Sequence, residues 1–63
     1  MTQKELLYVE DAIGHEKTIK NNIIDYINCL KDKDLIEFMK KELKNHEKIE
    51  KDLIKLLESE LNE

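Results

Sequence analysis

Apolar residues recur at helical spacing through almost the whole chain, with one short polar interruption near its middle. The first stretch carries Leu6, Val9, Ile13, Ile19, Ile23, Ile27 and Leu30. The second carries Leu35, Phe38, Met39, Leu43, Ile49, Leu53, Leu56, Leu57 and Leu61. Spacings of three and four residues place each set on one face of a helix, whereas a strand would need period-two alternation, which is absent. The pattern predicts an all-α chain of two long helices.

Capping signals predict where these helices begin. Thr2 followed by Glu5 is typical of a capping box with Thr2 as the N-cap, and it predicts helix 1 over about residues 3–30. Gly14 falls inside this helix at a cost of about 1 kcal/mol, so it indicates either a bend or a close approach of another segment.

The polar break predicts the turn between the helices. Asp34 followed by Glu37 has the form of a second capping box, which predicts a turn at residues 31–34 and helix 2 over about residues 35–61. Two helices of similar length joined by a short loop form an antiparallel hairpin. The whole chain is therefore predicted to be a single helical-hairpin domain.

A hairpin of 63 residues is too small to enclose a broad apolar face. Chains of this size bury only about 60% of their unfolded surface, and they rely on disulfides, a metal or a partner chain. Cys29 is the only cysteine, which excludes an internal disulfide and fits a reducing compartment. The simplest prediction is a homodimer that forms a four-helix bundle, and the alternative is packing on a different protein.

Charge and composition argue against several classes of function. The net charge is -4, and all eleven basic residues are lysines, so nucleic-acid binding is not predicted. Apolar runs are short, and neither a membrane span nor a targeting peptide is visible, which predicts a cytoplasmic protein without membrane association. No nucleophile elbow or glycine-rich phosphate loop supports hydrolase or kinase chemistry, so a non-enzymatic role is favoured.

Polar, titratable residues interrupt the apolar stripes. Glu16 falls on the apolar face of helix 1, and His46 falls on that of helix 2, with Glu42 and Glu50 one turn away on either side. Counting outward from the predicted turn sets Glu16 level with residues 49–50, less than one turn from His46 and nearly two turns from Glu42. The sequence therefore predicts that Glu16, His46 and Glu50 converge, with Glu42 as a weaker fourth member.

Two interpretations of this cluster stay open. Carboxylates and an imidazole on facing helices are the ligand set of metal-binding bundles, which predicts Fe, Mn or Zn at Glu16, His46, Glu50 and Glu42. The favoured interpretation is a half-buried hydrogen-bonded network that fixes the register of the helices, because a buried charge must be paired.

Residues 6–17 (LLYVEDAIGHEK), residues 34–38 (DLIEF) and His46 resemble the small spore coat proteins of clostridia-type bacteria. Those proteins belong to the ferritin-like helical superfamily. The resemblance implies a ferritin-like four-helix arrangement assembled from two hairpins, a structural role and an association with spores.

The chain departs from the ferritin-like metal motif that this resemblance implies. That motif places a Glu on one helix and Glu-x-x-His on the next, but here Leu43 stands three residues before His46. Only Glu16 and His46 match in type, which argues against oxidase or ferroxidase activity. The leading hypothesis is a homodimeric structural or interaction protein. The alternatives are a metal-binding bundle with a redox role, and a small inhibitor or adaptor whose apolar face docks on another protein.

Overall fold

Two antiparallel helices make up the computed structural model, which describes residues 1–61. Helix α1 spans Gln3–Cys29 and helix α2 spans Lys33–Leu61. The helices pack side by side into a hairpin 47 Å long and 14 by 11 Å across. Over the described residues the chain is entirely helical apart from its turn and its first two residues, which confirms the predicted helical hairpin. Within the same range, neither helix contains an apolar stretch long enough to cross a membrane.

The N-terminus of α1 is closed by the predicted capping box. Thr2 Oγ1 accepts a hydrogen bond from the Glu5 backbone N–H at 3.1 Å, and Glu5 Oε1 accepts one from the Thr2 backbone N–H at 2.8 Å. Hydrogen bonding with the Thr2 backbone, and to a smaller extent with the Thr2 side chain, lowers the pKa of the Glu5 carboxyl below its usual value. Both contacts satisfy backbone donors that the first helical turn leaves free.

The predicted start of the second helix is wrong by two residues. Asp32, rather than Asp34, is the capping residue: its Oδ1 accepts hydrogen bonds from the backbone N–H groups of Asp34 at 2.9 Å and Leu35 at 3.1 Å. Leu30 is extended and ends α1, so the turn consists of residues 30–32 and α2 begins at Lys33. Asp34 lies in the first turn of α2, where its negative charge interacts favourably with the helix dipole.

Few side chains are buried between the two helices. Ile13 and Ile23 are 9% and 7% exposed, and they are the buried apolar residues of the described chain. Half-buried apolar residues surround them: Leu6, Val9, Ile19, Ile27, Ile36, Met39, Leu43, Leu53, Ile54 and Leu57. Five of the residues predicted to form the apolar face of helix 2 are instead exposed: Leu35, Phe38, Ile49, Leu56 and Leu61. The predicted core of helix 2 is therefore too broad. One facing helix covers only part of a wide apolar face.

Gly14 lies in the middle of α1 without any structural demand for glycine. A Cβ atom added there would meet no heavy atom within 4 Å, and Gly14 itself does not have a positive φ angle. No other segment of the described chain therefore approaches Gly14 closely, which was one of the two explanations that the sequence offered for a glycine here. We expect Gly14→Ala to raise the free energy of unfolding by about 1 kcal/mol, because alanine loses less backbone entropy in a helix. Urea denaturation at a fixed protein concentration measures this; a destabilised variant would contradict it.

Candidate functional site

Glu16 and His46 meet across the helix interface at its mid-length. His46 Nδ1 lies 2.5 Å from Glu16 Oε2, and the side chains are 23% and 14% exposed respectively. An ionised carboxylate offers only acceptors, so with Glu16 ionised the hydrogen bond is one that His46 Nδ1–H donates to Glu16 Oε2. A hydrogen bond between an imidazole N–H and an ionised carboxylate is charge-assisted. It joins α1 to α2 at one fixed level.

The register of the hairpin explains why these two residues pair. The turn is centred on Lys31, so equal counting outward along the two helices sets Glu16 level with His46. Counting from the sequence alone used a turn centred near Asp32 and Lys33, between one and two residues later, and placed Glu16 opposite residues 49–50. The shift follows directly from the cap at Asp32, and it moves Glu50 about one helical turn away from Glu16.

Glu42 provides a second carboxylate beside the imidazole. Its Oε2 lies 4.0 Å from His46 Nε2, one helical turn along α2, and its side chain is 38% exposed. This distance is beyond that of a direct hydrogen bond. His46 is thus placed between two carboxylates, one from each helix, with Glu16 in direct contact and Glu42 at longer range.

Glu50 forms an ion pair with Lys20, a residue that was not predicted from the sequence to belong to the site. Lys20 Nζ lies 2.7 Å from Glu50 Oε2, an oxygen that is shielded from solvent and has no well-aligned hydrogen bond. The attraction between the charges therefore compensates this carboxylate. Side chains lean toward the N-terminus of their own helix, so in an antiparallel pair Lys20 and Glu50 lean toward each other. The available signal was the position of Lys20, four residues after Glu16 on the same face.

The four predicted metal ligands are therefore divided between two contacts. Glu16 and His46 come together with Glu42 beside them, while Glu50 pairs with the Lys20 ammonium instead of joining them. Across residues 1–61, no three His, Cys, Asp or Glu side chains are arranged to hold a metal ion. In the single hairpin these residues connect α1 to α2 through the Glu16–His46 hydrogen bond and the Lys20–Glu50 ion pair.

Comparisons with known protein families, curated proteins and solved structures found no match to this chain. No protein-family model matches the chain. No curated protein and no solved structure matches it either. The assignment of a role therefore depends on the geometry of the hairpin and of its polar contacts.

Proposed function

We propose that this chain is a non-enzymatic structural or interaction protein that acts as a homodimeric four-helix bundle. This is the role implied by the resemblance of residues 6–17 and 34–38 to small ferritin-like spore coat proteins. The observation that carries the proposal is the excess of exposed surface on the single hairpin. A homodimer removes that excess by packing two incomplete cores against each other.

The size of this excess fits a dimer interface. The hairpin exposes 5175 Å², whereas a compact monomer of 7.5 kDa exposes about 4,200 Å² by the usual scaling of surface with mass. The difference is on the order of 900 Å², and a stable protein–protein interface buries about 800 Å² on each partner. Packing on one additional copy would therefore cover an area similar to the excess that each hairpin exposes.

The Glu16–His46 contact fits a structural role. A polar pair inside an apolar interface adds little net stability, but a shifted register would leave a half-buried charge without its partner. The Lys20–Glu50 ion pair acts in the same way on the neighbouring turn. These contacts select one alignment of the helices, which is what a bundle needs if its apolar faces are to match.

Thermal unfolding at several protein concentrations tests the proposed dimer. Binding of a second copy stabilises only the folded state, so the Tm should rise by several degrees over a hundredfold increase in concentration. Far-ultraviolet circular dichroism follows the loss of helix directly. A soluble, poorly folded monomer whose Tm does not depend on concentration would contradict the homodimer and would favour the adaptor role, in which the apolar face docks on a different protein.

Metal binding is the second candidate function. The observation that favours it is the position of the His46 ring between the Glu16 and Glu42 carboxylates. Carboxylate and imidazole ligands suit Fe, Mn or Zn, and a dimer brings in a second set of the same residues. Native mass spectrometry of untagged protein mixed with each metal should then show bound metal that is lost in His46→Ala. Protein that stays metal-free in all three mixtures would contradict this candidate.

A further inference from the structure

The hairpin has two long edges on which another pair of helices can pack, and these edges differ. We propose that the second copy packs on the edge that carries Tyr8, Tyr26, Leu35, Phe38, Ile49 and Leu56, here termed the aromatic edge. This inference rests on the proposed homodimer and assigns the surface that forms it.

Helical geometry places these six residues on the same edge. Both helices are right-handed and run in opposite directions, so steps of about 100° per residue put the flank of α1 with Tyr8 and Tyr26 beside the flank of α2 with Phe38 and Ile49. Two contacts agree with this assignment. The N-terminal ammonium of Met1 meets Glu60 at 3.4 Å on the aromatic edge, whereas Lys20 and Glu50 meet on the opposite edge.

The aromatic edge is the more exposed apolar surface of the two. Tyr8, Phe38 and Tyr26 are 61%, 57% and 56% exposed, and Ile49 is 43% exposed. The opposite edge has Lys20 and Glu50 across it, with Ile24 exposed near the turn and Leu61 exposed near the chain termini. Aromatic residues are enriched at protein interfaces, where they bury large areas at a small entropy loss.

A second copy fits this edge better than a foreign chain because the edge is self-complementary. A two-fold interface brings the same surface together twice, so apolar groups must meet apolar groups and charges must be mixed in sign. Apolar groups lie along the whole edge, with Tyr8 near the chain termini, Ile49 near mid-length and Tyr26 near the turn. The Glu42 carboxylate and the His46 imidazole also lie on this edge, 4.0 Å apart.

Two isoleucines with the same exposure test the assignment. Ile49 lies on the aromatic edge and Ile24 on the opposite edge, and each is 43% exposed. We expect Ile49→Lys to weaken dimerisation by roughly 100-fold or more, since a two-fold interface carries each substitution twice. The matched variant Ile24→Lys should keep a dimerisation constant within about threefold of the unmodified protein, because it lies outside the interface. Sedimentation equilibrium gives all three constants.

A measurement on the unmodified protein covers the case in which Ile49→Lys does not fold. The chain has two tyrosines and no tryptophan, and both tyrosines lie on the aromatic edge. Acrylamide should therefore quench tyrosine fluorescence weakly in the dimer and strongly after dilution to monomer.

Three results would overturn the assignment: a dimer with fully quenchable tyrosines, dissociation by Ile24→Lys alone, or dimerisation unaffected by Ile49→Lys. An unmodified protein that stays monomeric would instead overturn the proposed homodimer itself.

Discussion

Replacing Ile23 by alanine is expected to lower the free energy of unfolding by about 3 kcal/mol, the largest effect of any single substitution considered for this chain. Ile23 is 7% exposed and is one of two buried apolar residues between the helices. Alanine would remove most of its side chain and leave a cavity that the neighbouring half-buried residues fill only in part. Urea denaturation at a fixed protein concentration measures the change.

The adjacent residue provides the control for this prediction. Ile24 is 43% exposed on the same helix, so Ile24→Ala changes the same side chain in the same backbone setting with little loss of burial. We expect Ile24→Ala to change the free energy of unfolding by less than about 1 kcal/mol. Equal losses in the two variants would mean that α1 does not pack on α2 through the face that contains Ile13 and Ile23.

Breaking the Glu16–His46 contact is expected to have the second largest effect. Glu16→Ala leaves the half-buried imidazole donor of His46 without its acceptor, which costs about 2 kcal/mol. Replacing both residues by leucine removes the polar groups together and fills their space with apolar side chains. That double variant should be as stable as the unmodified protein or more stable, as is found when buried polar pairs are exchanged for apolar ones.

A double-mutant cycle measures the interaction energy between Glu16 and His46 separately from their contacts with other residues. Glu16→Ala, His46→Ala and the double alanine variant should give a coupling energy on the order of 1 to 3 kcal/mol in urea denaturation. A matched cycle on Lys48 and Asp52, which lie 3.7 Å apart on the exposed side of α2, should give a coupling below about 0.5 kcal/mol. Additive effects at Glu16 and His46 would show that the two side chains do not interact in solution.

Local signals predicted the helices because they depend on residues close together in the chain. The three-to-four spacing of apolar residues identified both helices, and the Thr2–Glu5 capping box gave the start of α1. The spacing of Glu16 and His46 from the turn was also enough to bring them within one helical turn of each other. These features follow from helix geometry alone.

Features that depend on a choice between equivalent residues could not be predicted in this way. Asp32 and Asp34 are the same residue type two positions apart, so capping chemistry alone does not distinguish them, and in the structure Asp32 is the cap. That choice shifts the register and separates Glu50 from Glu16. Lys20 then reaches Glu50 along the helix axis, and such a contact depends on the direction of long side chains rather than on their level.

Sedimentation equilibrium of the unmodified chain over a wide range of micromolar concentrations tests directly whether two hairpins form one homodimer. The proposed homodimer predicts a mass of twice 7.5 kDa at the higher concentrations, falling toward the monomer on dilution together with loss of helix. A stable helical monomer of 7.5 kDa at every concentration would contradict the account, because the surface that a single hairpin exposes would then need no partner to cover it.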